Sequence, residues 1–212
     1  MNFSQFIDHT LLKADATVND IKKLCAEAKE YNFYAVCVNS YYTGLADSEL
    51  KNTDIKVCSV IGFPLGAQKT NVKVFEARQC IEDCADEIDM VLNIGLLRSG
   101  YFDFVEDEIR QVKKVIEDRP LKVIFENCYL TDEEKRIACK LSINAGADYI
   151  KTSTGFGPGG ATLEDVKLMK EEAGDLIKIK ASGGIRDRET AVEFVRAGAS
   201  RIGTSSGIKI LS

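Results

Sequence analysis

Histidine is almost absent from this sequence, which contains His9 alone and only three prolines. Its seven cysteines include no C-x-x-C pair. Because structural zinc sites draw closely spaced ligands from Cys and His, we predict no metal site. An odd set of cysteines without such spacing is typical of buried thiols in a reducing compartment. We therefore expect a cytoplasmic protein in which most cysteines pack in the core.

Long apolar runs and clusters of one charge are also missing. No apolar run approaches the roughly 18 residues that a membrane-spanning helix needs, and residues 1–8 lack the basic and apolar regions of a signal peptide. The 28 basic and 33 acidic residues give a net charge of −5, spread along the chain. We therefore expect neither a membrane nor a nucleic acid as a partner.

Eight short segments rich in Val and Ile alternate with helical patterns along all 212 residues. The predicted strands cover residues 7–10, 34–38, 56–61, 88–92, 121–125, 148–151, 177–181 and 201–203. Apolar strands separated by helices are typical of a parallel sheet buried on both faces. Since no linker divides these units, we predict one α/β domain over residues 1–212, a single (β/α)8 TIM barrel, in preference to an open doubly wound sheet.

The segments between the strands carry apolar residues at helical spacing. Two stripes that we expect to face the core are Ile21, Leu24, Cys25 and Ala28, and Val74, Ala77, Ile81 and Cys84. Thr17, Thr131 and Thr162 each precede an acidic residue by three positions. This spacing is typical of a helix N-terminus, so we predict that helices begin after these threonines.

Lysines stand at the ends of two neighbouring predicted strands, where the chemistry of a barrel enzyme lies. Strand six ends at Lys151, and strand seven carries Lys178 and Lys180, which share one face. Two close ammonium groups in a partly desolvated mouth lower the pKa of one of them, and only a neutral amine attacks a carbonyl. The pair therefore predicts a Schiff-base site in which either Lys151 or Lys180 is the nucleophile. Each lysine alone is equally well explained as a solvated rim charge.

Asp89 lies among apolar neighbours in strand four, where a carboxylate needs a partner. We predict that it pairs with the lysines and carries protons, with a purely structural ion pair as the alternative. Asp8, Cys37 and Thr152 lie in or next to other strands and are candidates for lining the same site.

Glycine-rich loops follow strands six, seven and eight, at residues 153–160, 182–186 and 203–207. Bare backbone amides in such loops bind phosphate, and barrels commonly place this site after strands seven and eight. Arg186, Ser205 and Ser206 are further donors there. The predicted ligand is a small phosphorylated aldehyde or ketone.

Four segments resemble the deoxyribose-phosphate aldolase family: VCSVIGFPLG at 57–66, EIDMV at 87–91, YIKTSTGF at 149–156 and KASGGIR at 180–186. The similarity continues in order from Asp8 to about Gly207. It implies a class I aldolase without a cofactor, acting through a covalent Schiff base. Such an enzyme reversibly cleaves 2-deoxy-D-ribose 5-phosphate to D-glyceraldehyde 3-phosphate and acetaldehyde, in deoxyribonucleotide catabolism.

The resemblance also implies roles for individual residues. Lys151 corresponds to the Schiff-base lysine, Lys180 to the second lysine that perturbs it, and Asp89 to the acid that relays protons. The implied phosphate contacts are Gly155, Gly183, Gly184, Arg186, Gly203, Ser205 and Ser206. Phe156 stands where some members have a lysine, so the resemblance implies no side-chain cation at that position.

Two other functions are compatible with the residues alone. An isomerase of phosphorylated sugars or amines would use Asp8 and Asp89 as acid and base, but it leaves the two lysines without a role. A non-catalytic sensor would bind a phosphorylated metabolite at the glycine loops and use the lysines only to neutralise charge. The oligomeric state stays open, because a homodimer or a homotetramer leaves no readable pattern here.

Overall fold

The computed structural model describes residues 2–212, and its strands form one closed barrel. All eight strands are parallel and pair in chain order, and the last returns to the first. The strands are β1 (Ile7–Leu11), β2 (Ala35–Asn39), β3 (Lys56–Ile61), β4 (Glu87–Val91), β5 (Leu121–Ile124), β6 (Tyr149–Lys151), β7 (Lys178–Ser182) and β8 (Arg201–Thr204). The predicted (β/α)8 barrel is confirmed, and every predicted strand end lies within about a residue of the observed one.

Helices surround the barrel and connect its strands. They are α1 (Val18–Tyr31), α2 (Thr43–Leu50), α3 (Thr70–Glu82), α4 (Ile94–Arg98), α5 (Phe102–Ile116), α6 (Asp132–Asn144), α7 (Leu163–Ala173), α8 (Arg188–Arg196) and α9 (Gly207–Leu211). Among the helices of residues 2–212, none combines the length and the hydropathy of a transmembrane segment.

The three predicted helix starts are confirmed. The Thr17 hydroxyl accepts a hydrogen bond from the Asp20 amide and the Asp20 carboxylate accepts one from the Thr17 amide, which together form a capping box. Thr131 and Glu134 repeat this arrangement at the start of α6. Such caps satisfy amides that the first helical turn leaves unpaired. Each cap therefore fixes the residue at which the loop after a strand ends and the next helix begins.

The predicted core face of α3 is confirmed for Ala77, Val74 and Ile81, which are buried in the core or pack against it, and is wrong for Cys84. Lys73, Ala77 and Cys80 are the buried residues of this helix, whereas Cys84 is exposed and lies beyond its end. Lys73 turns inward because its ammonium group donates to Glu108 Oε2 and to the carbonyl of Val91, both at 2.8 Å. A count of apolar residues does not detect a lysine whose charge is paired in the core.

The side chains of the strands divide the interior into two regions of different polarity. Residues that point outwards, such as Val36, Ile88 and Ile150, join the helices in the main apolar core. Residues that point into the barrel are largely charged, apart from a small apolar cluster of Leu12, Cys37, Cys58 and Val60. Stability therefore comes mainly from the layer between sheet and helices, while the barrel lumen is free to hold polar groups.

Candidate active site

Lys151 and Lys180 are direct neighbours in the sheet, because the register of β6 and β7 pairs these two residues. Both ammonium groups donate to one oxygen, Oδ2 of Asp89, at 2.7 Å. Lys151 is 2% exposed, and Lys180 and Asp89 are fully buried. The structure thus brings together the three residues that the sequence predicts to be catalytic.

The surroundings of the two lysines differ. Lys180 also lies 2.5 Å from Oδ2 of Asp8, so it has two carboxylate partners. Burial disfavours its ammonium form, but Asp8 and Asp89 outweigh burial and raise the pKa of Lys180 above its ordinary value. Lys180 therefore remains a cation at neutral pH. Lys151 contacts Asp89 and lines an open cavity, which makes it the member of the pair that a substrate can reach.

The second oxygen of Asp89 is also occupied. Oδ1 accepts from Lys122 at 2.8 Å and from the thiol of Cys58 at 3.0 Å. Burial raises the pKa of Asp89, but Lys122, Lys151 and Lys180 together hold it well below its usual value. Asp89 is therefore an anion in the free protein and a weak base as long as all three ammonium groups remain in place.

Arg201 on β8 connects the remaining buried carboxylates. Its guanidinium donates to Asp8 and, at 3.2 to 3.3 Å, to both oxygens of Glu87, which lies 2.6 Å from Lys122. The guanidinium also stacks over the ring of Tyr34. Burial opposes ionisation of Asp8, but Arg201 and Lys180 outweigh it and lower the pKa of Asp8 to about 2. Asp8 is thus a structural anion and a poor acid or base.

Together these side chains form a buried charged cluster with more cations than anions. Its members are Lys122, Lys151, Lys180 and Arg201, and Asp8, Glu87 and Asp89. With every member ionised, four cations face three anions and one positive charge is left over. Excess buried charge is costly. The cluster therefore favours the approach of an anionic ligand.

Four members of this site were missed in the sequence: Glu87, Lys122, Arg201 and Cys58. Glu87 could have been found from the sequence, because it lies two residues before Asp89 in the same strand and both side chains therefore point into the barrel. Lys122 is the residue that pairs with Asp89 in the register of β4 and β5. Charged residues inside otherwise apolar strands indicate a charged lumen. Searching only strand ends overlooks them.

A cavity of about 270 Å³ opens at Lys151, at the carboxyl ends of the strands. Six of the seven predicted phosphate contacts line it: Gly155, Gly183, Gly184, Arg186, Gly203 and Ser205. Ser206 follows Ser205 in the same loop, and its amide donates to the Thr204 hydroxyl at 2.9 Å. Lys13 adds a cation to the wall that the sequence analysis did not identify. The cavity therefore joins a reachable amine to amide-rich loops.

Two glycines hold the loops after β6 and β7 against each other. A Cβ atom on Gly160 would lie 2.2 Å from the carbonyl oxygen of Gly183, so only glycine permits this approach. That same carbonyl accepts from the Ala161 amide at 3.0 Å. Gly183 itself has φ +90°, a conformation that other residues rarely adopt. The two loops therefore present their amides to the cavity as one unit.

Glu126, at the end of β5, positions the loop that follows Lys151. Its carboxylate accepts from the Thr154 amide at 3.1 Å and from the Thr154 hydroxyl. Burial raises the pKa of Glu126 above its ordinary value, against the effect of these hydrogen bonds. Since Thr154 lines the cavity, Glu126 is a positioning residue that the strand-end pattern only weakly indicates.

The other candidates occupy distinct places. Thr152 is buried and joins the ends of β6 and β7, because its hydroxyl donates to the Ser182 carbonyl and accepts from the Ser182 amide. Cys37 is buried inside the barrel beside Cys58. Lys178 is exposed at the start of β7, with its ammonium group 5.5 Å from the centre of the Tyr149 ring, and does not join the charged cluster.

Cys37, Cys58 and Asp89 also lie close enough to be considered as metal ligands. One donor atom from each falls within 4.8 Å of the others. However, three ammonium groups already occupy the oxygens of Asp89. A cation in this position would face strong repulsion, so the site fits lysine chemistry better than a metal ion.

Comparisons with known proteins agree with this geometry. A family model described as "DeoC/LacD family aldolase" matches residues 3–212. A deoxyribose-phosphate aldolase from Finegoldia magna is 56% identical over 211 residues, which cover 100% of this chain and 99% of that protein. One from Thermococcus kodakarensis is 58% identical, over 98% of this chain and 95% of its own.

Solved structures show the same similarity. A crystal structure from Coccidioides immitis, assigned provisionally to the same activity, has a TM-score of 0.98 and 45% identity over 99% of this chain and 84% of its own. The deoxyribose phosphate aldolase of Aeropyrum pernix, described as a unique tetramer, has a TM-score of 0.90 and 36% identity over 99% of this chain and 89% of its own.

Replacing Asp8 with Asn tests the charged cluster. We expect the free energy of unfolding at pH 7 to fall by about 3–5 kcal/mol, because Arg201 and Lys180 lose a buried counter-charge. The Asp8 pKa of about 2 lies below the unfolded value. The stabilisation is therefore fully present above about pH 4 and is lost as the pH falls through the folded pKa.

Urea unfolding of both proteins at a series of pH values measures this difference. Asp175→Asn is the matched control, because Asp175 pairs with Lys170 on the surface and its side chain is fully exposed. We expect this control to leave the free energy of unfolding nearly unchanged. Equal effects of the two substitutions would show that the cluster does not stabilise the barrel.

Proposed function

Because the chain belongs to the DeoC/LacD family of aldolases, we propose that it reversibly cleaves 2-deoxy-D-ribose 5-phosphate to D-glyceraldehyde 3-phosphate and acetaldehyde. This is a lyase reaction of deoxyribonucleotide catabolism. The observation that carries the proposal is the contact of Lys151 and Lys180 with one oxygen of Asp89, at the floor of a cavity walled by glycine loops.

Lys151 is the nucleophile in this proposal. Its neutral amine attacks C1 of the open-chain sugar, and loss of water gives an iminium ion. The iminium withdraws electrons, so the C2–C3 bond breaks once the C3 hydroxyl loses its proton. Glyceraldehyde 3-phosphate leaves, and the enamine that remains on Lys151 is protonated and hydrolysed to acetaldehyde.

Asp89 and Lys180 prepare this chemistry. Asp89 holds both lysines in position and takes the C3 proton through a water molecule. Conversion of Lys151 to an iminium keeps its positive charge but leaves one N–H in place of three, so Oδ2 of Asp89 gains room to bind the water that carries the proton. Lys180 keeps its charge throughout and stabilises the developing oxyanion.

The glycine loops hold the phosphate end of the sugar. The predicted contacts are the amides and side chains of the loops after β6, β7 and β8, together with Arg186. With a covalent lysine intermediate, the reaction needs no cofactor or metal. A cytoplasmic location stays a prediction from cysteine usage and the N-terminal sequence.

The contacts of Asp8 argue against the isomerase alternative. An acid and base pair of Asp8 and Asp89 needs one protonated carboxyl as the acid, yet both carboxylates are held ionised by buried cations. The sensor alternative differs from the aldolase in one observable property, the covalent adduct.

Borohydride reduction in the presence of 2-deoxyribose 5-phosphate tests the function directly. We expect a stable adduct on Lys151, located by intact mass and peptide mapping. Lys151→Ala should lose the adduct and all measurable turnover, while Asp89→Asn should lower kcat by orders of magnitude. Lys178→Ala is the matched control and should keep full activity, because Lys178 is an exposed lysine outside the charged cluster.

An adduct on another lysine would contradict the role of Lys151. Bound sugar phosphate with no adduct and no acetaldehyde would favour the sensor, and isomerised product without acetaldehyde would favour the isomerase.

Replacing Arg186 with Ala tests the phosphate site. We expect KM for 2-deoxyribose 5-phosphate to rise about tenfold with little change in kcat, as for loss of one charge-assisted hydrogen bond. Turnover of 2-deoxyribose, which has no phosphate, should not change. Arg196→Ala, at the far end of α8, is the control. Equal losses for the phosphorylated and unphosphorylated sugars would place the phosphate elsewhere.

We further propose that the chain forms a homodimer or homotetramer through apolar residues near α3. Tyr41, Leu65 and Phe75 are 87%, 70% and 63% exposed. The segments that carry them meet, because Glu76 accepts hydrogen bonds from both the Ser40 hydroxyl and the Gly62 amide. An exposed apolar patch of this kind indicates an interface with a second copy.

Light scattering of the purified protein should therefore give a mass of two or four chains. Phe75→Glu should shift it toward one chain, whereas Phe104→Glu, on the exposed apolar surface of α5, should not. A single-chain mass at all concentrations would contradict the interface.

A further inference from the structure

Two cysteines face each other inside the barrel. Cys37 on β2 and Cys58 on β3 are partners in the parallel register, and both are fully buried. Neighbouring strands lie about 4.8 Å apart, within the Cα separation of about 4.4–6.8 Å that disulfides span. Their sulfur atoms and one oxygen of Asp89 all lie within 4.8 Å of one another. A bond between the sulfurs therefore needs little movement of the backbone.

The two thiols have opposite chemical characters. The neighbouring Cys58 thiol and the charge of Lys180 lower the pKa of Cys37 despite its burial. Burial and the neighbouring Cys37 raise the pKa of Cys58 well above the ordinary value. Of the two thiols, Cys37 is therefore the more readily ionised and the attacking group, and Cys58 is the resolving thiol.

The remaining buried cysteines lack these features. Burial raises the pKa of Cys25 and Cys80 to about 11 and that of Cys139 to about 12. Each belongs to the main core between sheet and helices. The Cys37 and Cys58 pair instead belongs to the small apolar cluster with Leu12, a residue that also lines the cavity. Neither cysteine lines the cavity itself, so a small oxidant has to pass Leu12 to reach the pair.

We propose that hydrogen peroxide joins Cys37 and Cys58 in a disulfide that reversibly switches off the site. The Cys37 thiolate attacks one peroxide oxygen, so that an S–O bond forms, the O–O bond breaks and the departing hydroxide is protonated to water. The Cys58 sulfur then attacks the sulfenic acid, the S–O bond breaks, and the released hydroxide takes the Cys58 proton to form a second water. Both thiols are oxidised, and one peroxide is reduced to two waters.

The disulfide acts on the site through Asp89. In the reduced protein the Cys58 thiol donates to Asp89 Oδ1 at 3.0 Å, and Lys122 donates to Cys58 Sγ at 3.4 Å. Oxidation removes the thiol proton and draws the sulfur toward β2. Asp89 then loses one of its donors, and the carboxylate that positions Lys151 is free to shift. This loss of activity rests on the proposed function, whereas the bond itself does not.

Peroxide treatment followed by peptide mapping without reductant tests the proposal. We expect a peptide linked through Cys37 and Cys58, a loss of aldolase activity of about tenfold or more, as for a lost hydrogen bond to a charged group, and parallel recovery of both with dithiothreitol. Cys84→Ser is the matched control, because this cysteine is exposed and lies outside the site. It should retain the starting activity and the full response to peroxide.

In Cys58→Ala, dithiothreitol should no longer restore the activity that peroxide removes. The reference is the activity of the same variant before peroxide treatment. Peroxide should then carry Cys37 to acids that dithiothreitol does not reduce. The proposal is overturned if mapping finds no Cys37–Cys58 peptide in the inactivated protein, or if Cys58→Ala is inactivated and recovers as the parent does. The linked peptide is detected without an assay, so a failure of the aldolase proposal is distinguishable from a failure of the disulfide.

Discussion

The carboxylate of Asp89 binds three lysine ammonium groups from three successive strands, and the barrel interior depends on this contact. Lys122, Lys151 and Lys180 come from β5, β6 and β7, and each lies 2.7 to 2.8 Å from an oxygen of Asp89. None of these charges would be stable in the lumen without the others, because an unpaired buried ion costs several kcal/mol, or about 3–5 kcal/mol when one partner is removed. The interactions that hold the lumen together are thus also those that position Lys151 at the cavity.

This arrangement is possible because the fold separates its apolar and polar cores. The layer between the strands and the helices is almost wholly apolar and supplies most of the stabilisation. The barrel lumen therefore does not have to supply apolar burial, and it holds four cations and three anions. The excess positive charge suits a site that receives a phosphorylated sugar, with glycine loops that add neutral amide donors at the mouth.

A large part of the architecture follows from local patterns in the sequence. Alternation of Val- and Ile-rich strands with capped helices predicts all eight strands to within about a residue. Strand parity places Asp89, Lys151 and Lys180 on the inward face, and glycine content locates the loops that line the cavity. The chemistry of an amine beside a second cation also follows from residue types alone. Lys73 on α3 was missed, because it is buried through its ion pair with Glu108 and a search for apolar residues at helical spacing does not find a lysine.

The sequence by itself determined the barrel, the pair of lysines on neighbouring strands and the glycine loops, since these depend on periodicity and spacing along the chain. Only the tertiary structure decided which lysine is open to a ligand and which is held as a cation, because that depends on Asp8 and Asp89 from β1 and β4. It also decided that Glu87, Lys122 and Arg201 complete the cluster, and that Cys37 lies opposite Cys58. Each of these contacts involves residues far apart in the sequence. The closure of the barrel and the register of its strands decide which of them meet.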